Sequence, residues 1–182
     1  MSLLVLGLVA GGALVVVLLY NRLAQLGVLA DNAEADIAVQ LKRRHDLVPN
    51  LVETVRGYAS HEQSTFKAVI EARNAAVAAT GIAEQQQAEQ RLGSSLRQLF
   101  ALAEAYPALR AVESFQTLQA SLGSIEEALQ SARRYYNAVV RDLNTAIVQF
   151  PSNLIASSFG FRRRLFFELE DPSEAAAPQV RF

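Results

Sequence analysis

The apolar positions between Phe115 and Phe150 set the first expectation. Phe115, Leu118, Leu122, Ile125, Leu129, Ala132, Tyr136, Val139, Leu143, Ala146 and Phe150 follow one another at alternating steps of three and four residues. That spacing is an a/d seam along one side of a helix. No glycine after Gly123 and no proline before Pro151 interrupts it, so the pattern predicts one helix about 50 Å long at about 1.5 Å per residue. An amphipathic helix cannot bury its own stripe, and the seam therefore requires helical partners of similar length.

At the other end of the chain every residue from Leu3 to Leu19 is apolar or glycine. As a helix this run covers about 25 Å, slightly less than a hydrocarbon core of about 30 Å, and Met1, Tyr20 and Leu23 extend it. A cleaved signal peptide competes with a membrane anchor here. Against the signal peptide, no Lys or Arg precedes the run, and Leu23, Ala24, Leu26, Val28 and Leu29 continue the helical pattern where a cleavage region would break it. The preferred reading is an uncleaved transmembrane anchor over residues 1–22. Arg22 and the run Lys42-Arg43-Arg44 follow it, a small bias that places the body in the cytoplasm. Gly7 and Gly11 form a G-x-x-x-G step of the kind along which membrane helices pack, although glycine is common in such helices generally.

Residues 23–157 read as an antiparallel helical bundle. Leu26, Leu29, Ala33, Ile37 and Leu41 keep one apolar face with no turn cluster, so the first helix is expected to leave the bilayer as a rigid stalk ending at a solvated Lys42-Arg43-Arg44. A second helix is expected from about Pro49 to Thr80, with Asp46 as its cap, unless Pro49 merely kinks one continuous helix. Glu62 and Arg73 interrupt its apolar face, and Gly81 ends it. Ile82 to Arg91, dense in Gln, Glu and Ala, reads as the exposed start of a third helix whose face is Leu92, Leu96, Leu99, Phe100, Ala103 and Tyr106. Pro107 stops that helix, and the short connection to Glu113 makes its neighbours antiparallel. Pro151 ends the seam helix at Phe150.

Beyond it, residues 158–170 form an extended aromatic and basic segment in which Phe159, Phe161, Arg162, Arg163, Arg164, Phe166 and Phe167 are candidates for lipid contact or pairing between copies; packing along the bundle is the other option. Residues 171–182, rich in Ala, Pro and Glu, read as a mostly flexible tail. The fold class is all-α: an N-terminal transmembrane helix continuing into an antiparallel bundle of long helices, with an extended aromatic C-terminal segment.

Composition narrows the chemistry. The 182 residues are 51 % hydrophobic, and 17 basic side chains nearly balance 18 acidic ones, so no nucleic-acid partner is indicated. There is no cysteine, which excludes disulfides, a thiol nucleophile and thiolate metal sites. His61-Glu62 opens like a zinc-protease helix, but position 65 is Thr where the second histidine belongs. A cluster of His61, Glu62 and Glu104 lacks the two Glu-x-x-His pairs of a di-iron bundle. Neither a phosphate loop nor a triad is recognisable, so no catalytic, cofactor or metal residue is assigned. The remaining polar candidates are Glu62, Arg73, Glu104, Arg133 and Tyr136, read as a structural network in which Glu104 or an asparagine answers the Tyr136 hydroxyl.

Several stretches together resemble the bacterial LemA family. They are Val39 through Val55, reading VQLKRRHDLVPNLVETV, then Gly57-Tyr58-Ala59 and His61-Glu62, Ala72-Arg73, Glu104-Ala105-Tyr106-Pro107, Phe115 with Leu118-Gln119, Ala132-Arg133-Arg134-Tyr135-Tyr136-Asn137, and Phe150-Pro151 through Phe159-Gly160-Phe161. The resemblance covers nearly the whole chain in order. It departs in having no tryptophan in Ala30 to Ile37 and in placing Glu126-Glu127 where the family usually has Thr-Glu-Asn. What it implies is an N-terminal transmembrane helix, a body of long antiparallel helices, no established enzymatic activity, and kinship with proteins of magnetosome membrane formation.

The expected function is accordingly a non-enzymatic scaffold of the bacterial inner membrane, single-pass, that self-associates in membrane organisation or shaping. The expected partners are the lipid bilayer and further copies of the chain. An adaptor that binds another membrane protein through the helical body is the alternative.

Overall fold

The computed structural model describes residues 1–167. The last positions of the expected aromatic strip, 168–170, and the expected tail, 171–182, lie outside the described residues. Every regular element among the described residues is a helix: α1 (Ser2–Arg56), α2 (Gln63–Ala78), α3 (Ile82–Glu104), α4 (Pro107–Arg110), α5 (Glu113–Val148) and α6 (Ser152–Phe159). The chain is all-α, with one long apolar N-terminal helix and a bundle of helices in contact. It divides into two compact units. The first is Met1–Asp36 with Arg134–Phe166; the second is Ile37–Arg133 with Phe167. Helices α1 and α5 contribute residues to both.

The second unit holds the larger core. Val48, Leu51, Val52 and Val55 on α1 are buried with Phe66 and Val69 on α2, with Leu92, Leu96 and Leu99 on α3, and with Leu109, Phe115 and Leu122. Helices α2 and α3 pack directly on each other. The rings of Phe100 and Phe115 lie 6.2 Å apart, and the Arg56 guanidinium stands 5.5 Å over Phe66. Burial of each large apolar side chain is worth about 1.5–3 kcal/mol.

Proline does not end α1. The helix runs through Pro49, which has no N–H to give to the carbonyl of His45 four residues back. Arg73 on α2 supplies the missing donor: its Nε donates to the His45 carbonyl at 3.2 Å. With that acceptor satisfied, the helix continues to Arg56 and stops before Gly57, a poor helix former. Thus the expected boundary near Lys42-Arg43-Arg44 and the expected second helix from Pro49 to Thr80 are both corrected. Asp46, expected as a cap, lies inside α1 and bonds to Lys42 one turn back, which holds its carboxyl below the ordinary carboxylate range.

The core of the first unit is smaller: Leu23, Ala146 and Ala156, with Leu26, Ile147, Ile155 and Phe161 packed around them. The end of α5 is closed by Ser152, whose hydroxyl lies 2.6 Å from the Ala146 carbonyl and 2.9 Å from that of Gln149. The Ala146 carbonyl is one that a helix end leaves without a partner of its own, while that of Gln149 also accepts from the Asn153 N–H at 2.8 Å. Helix α6 ends at Gly160, where φ is 77°. Only glycine adopts that geometry without strain, and it brings the Phe161 N–H back to the Ala156 carbonyl at 3.0 Å.

Along the seam, Phe115, Leu122, Leu129, Tyr136, Val139, Leu143 and Ala146 are buried, while Leu118, Ile125 and Ala132 are half-buried. Phe150 departs from it. Helix α5 ends at Val148, and Phe150, beyond the last helical turn, is 76 % exposed.

The Pro49 and Arg73 pairing makes a testable prediction. Arg73→Met should cost about 1–3 kcal/mol by leaving a carbonyl without its donor. In a Pro49→Ala background, where residue 49 regains an N–H, the same change should cost about 1 kcal/mol less. Denaturant unfolding of the four proteins measures this; equal costs in both backgrounds would refute it.

Candidate functional site

Two constellations stand out, one in each unit. That of the second unit arises because apolar stripes pass through charged positions. On α1 the buried stripe runs Ile37, Leu41, Arg44, Val48; on α3 it runs Glu89, Leu92, Leu96, Leu99, Ala103. Opposite charges at these two positions meet. Arg44 Nη1 donates to Glu89 Oε2 at 3.0 Å, His45 Nε2 lies 2.6 Å from Glu89 Oε1, and Arg44 Nε lies 2.9 Å from Glu126 Oε1. Arg44, His45 and Glu89 are 3 %, 7 % and 1 % exposed. Gly93 makes room for the guanidinium, since a Cβ there would stand 3.3 Å from Arg44 Nη2.

This cluster corrects two expectations. Lys42-Arg43-Arg44 is not a solvated helix end, because Arg44 is buried in mid-helix. Likewise Ile82 to Arg91 is not simply exposed, because Ala88 and Glu89 are buried. The signal for both was the step of three and four residues continuing through a charged residue. Chemically the groups answer one another: one guanidinium faces two carboxylates, and one of those carboxylates also faces an imidazole. Among the described residues no group of His, Asp and Glu is arranged to hold a metal ion.

Of the five residues expected to form one polar network, Glu62, Arg73, Glu104 and Arg133 fall in the second unit and Tyr136 in the first. Glu62 precedes α2 and its carbonyl accepts from Phe66 N–H; Arg73 serves the His45 carbonyl; Glu104 is exposed at the end of α3; Arg133 is buried. The Tyr136 hydroxyl, for which Glu104 or an asparagine was the expected partner, donates to the Leu165 carbonyl at 3.1 Å.

That bond belongs to the constellation of the first unit, where the chain after α6 is held against α1 and α5. Asn144 reads both backbone groups of Arg164, accepting from its N–H at 2.8 Å and donating to its carbonyl at 2.9 Å. The Arg164 guanidinium reaches Asp31 at 2.6 Å and Glu34 at 3.8 Å. Nearer the apolar run, the Tyr20 ring meets Phe159 at 4.9 Å and Phe161 at 5.7 Å, both edge to face. Nothing in the sequence singled out Asn144, which stands beside a seam position like any surface asparagine.

Of the strip proposed for lipid or intersubunit contact, Phe159, Arg162 and Arg163 are exposed, Phe161 is half-buried and Phe166 is 46 % exposed. Arg164 is paired with Asp31 and Glu34, and Phe167 is buried. Residues 161–167 have neither helix nor strand geometry. The apolar run itself is bare. In α1 it is long and apolar enough to cross a membrane, and none of it is buried by the protein. A Cβ added at Gly7 or Gly11 would meet nothing within 4 Å.

The sequence model of the LemA family matches residues 33–182. Two proteins of Paramagnetospirillum magneticum, magnetosome proteins MamQ 1 and MamQ 2, are each 25 % identical over 175 residues, covering 82 % of this chain. Magnetosome protein MamQ of Magnetospirillum gryphiswaldense is 25 % identical over 174 residues, or 81 % of this chain. The matches span 64 % of the length of these relatives.

Each constellation can be tested through stability. Glu89→Ala should lower the unfolding free energy by about 3–5 kcal/mol, because it removes the buried carboxylate that Arg44 and His45 share and leaves Arg44 only the half-buried Glu126. The triple replacement Arg44→Leu, His45→Leu, Glu89→Leu should restore most of that loss; a single-variant cost below about 1 kcal/mol would show that the cluster is not structural. In the first unit, burial foremost, then the Glu34 charge, raises the Tyr136 phenol above its ordinary value, with Arg164 opposing. As pH rises through about 10 the unfolded chain loses this proton while the folded chain keeps it, so stability falls. Tyr136→Phe should lessen that alkaline loss and cost about 1 kcal/mol at neutral pH for the hydrogen bond to Leu165; an unchanged slope between about pH 9 and 11 in denaturant unfolding would contradict it.

Proposed function

Because this chain belongs to the LemA family, we propose that it is a non-enzymatic scaffold anchored in the bacterial inner membrane by residues 1–22 and self-associating to organise or shape that membrane. The single observation that carries the anchor is the uncovered run Leu3–Leu18, a helix without a charge whose residues are all exposed. In water its exposed leucines and valines would each forgo about 1.5–3 kcal/mol of burial; in lipid they do not. Tyr20, Phe159 and Phe161 then form an aromatic collar at one end of the run, the level at which such rings settle in membrane proteins. The body is an antiparallel arrangement of long helices on the cytoplasmic side, a reading supported by the short connections and by Arg22, Arg162 and Arg163 beyond the run.

Self-association uses Gly7 and Gly11, with open space over both, and the exposed Phe159, Arg162 and Arg163. The names of the magnetosome proteins among its relatives agree with a role at membranes. A second reading is an adaptor for another membrane protein. It is favoured by an open groove of about 590 Å³ in the second unit, lined by Leu47, Ala120 and Ile125 together with Arg43 and Asp46.

The test is the native mass of the full-length chain extracted gently from membranes, with identification of whatever co-purifies. A homo-oligomer that becomes monomeric on Gly7→Leu and Gly11→Leu replacement is expected. A monomer bound to one constant heterologous chain would overturn self-association in favour of the adaptor, and a monomer alone would overturn both.

A further inference from the structure

Where α1 leaves its uncharged run, the first unit holds a groove of about 430 Å³ against the C-terminal end of α5. Its lining includes the apolar Leu19, Phe150 and Pro151 and the polar Arg22, Asp142 and Gln149. Arg22 is the first charged side chain of the sequence and stands one helical turn beyond Leu19, the last residue of the run. If the run occupies hydrocarbon, Arg22 and the groove stand at the depth of the lipid headgroups.

From this juxtaposition we infer that the groove is a binding site for a zwitterionic phospholipid headgroup carrying a phosphate and a primary ammonium, that of phosphatidylethanolamine. The inference rests on the anchoring proposed above. The groove offers one cation and one anion. Among the described residues Arg22 has no carboxylate within ion-pair reach, and Asp142 has only its exposed sequence neighbour Arg141 at 4.0 Å. Arg22 donates to the phosphate, while Asp142 and the Gln149 side-chain carbonyl accept from the ammonium. The acyl chains pass Leu19 onto the bare surface of the run.

Competing headgroups fit the same groove less well. A glycerol headgroup with net negative charge has no donor cation for Asp142 and is repelled by it. A choline headgroup has no N–H to give, and the single Phe150 ring does not form the aromatic cage that quaternary ammonium groups occupy.

The experiment uses the full-length chain in vesicles containing equal parts of phosphatidylethanolamine, phosphatidylcholine and phosphatidylglycerol. The vesicles are first washed at alkaline pH, then the protein is extracted in mild detergent and its retained lipids are quantified by mass spectrometry. Wild type should retain phosphatidylethanolamine several-fold above its share. Arg22→Gln should lose retention of all three lipids, and Asp142→Asn should lose the preference over phosphatidylglycerol while still retaining lipid. Both positions are exposed, so both variants are expected to fold, which circular dichroism verifies. Equal retention of the three lipids by wild type, or an unaltered preference in Asp142→Asn, overturns the headgroup site and leaves anchoring intact. Release of the chain by the alkaline wash overturns anchoring and the site together.

Discussion

Helix α1 presents about four turns of leucine, valine, alanine and glycine that no other part of the protein buries. Apolar surface left in water forgoes about 25 cal/mol per Å² of the stabilisation that an apolar solvent would give, so a run of this length strongly favours transfer out of water. Another solvent must take it up, and a bilayer is the solvent whose thickness matches the run. Other features of the first unit accord with that constraint. Its small core begins at Leu23, just past the run, and its aromatic rings gather on Tyr20.

Long helices raise a second problem, that of polar groups left unanswered. Four such places have specific partners. The carbonyl that Pro49 leaves open is met by Arg73, the carbonyls at the end of α5 by Ser152, and the backbone of Arg164 by the Asn144 amide. The buried Arg44 is met by Glu89 and Glu126. Such pairs contribute less to net stability than apolar packing would, but removal of one partner is costly, so they favour one register of the helices over its alternatives.

Much of this was legible in sequence where a single periodic signal decided the outcome. The seam of α5, the apolar run of α1, the break around Gly81 and the stop at Pro107 all follow from spacing and from residues with strong backbone preferences. What was not legible depended on contacts distant in sequence. Pro49 resembles a helix boundary until Arg73, far along the chain on another helix, is known to serve the open carbonyl. Arg44 resembles a solvated cation until Glu89 is found opposite it. Phe150 fits the heptad spacing, yet the helix ends at Val148 and the seam ends with it. The candidate membrane site was legible as composition in the Leu3–Leu19 run, but its collar was not, because the return of the chain at Gly160 brings Phe159 and Phe161 to Tyr20 from the far end of the sequence.

The measurement that bears most directly on the central claim is water accessibility along α1 in native membranes. The chain has no cysteine, so single cysteines report without background. Val9 and Val28 are 64 % and 57 % exposed in the protein, so the fold itself shields neither. In opened membrane vesicles treated with a charged maleimide, a cysteine at position 28 should react readily, and one at position 9 should react only after detergent is added. Equal labelling of the two before detergent would contradict the membrane anchor.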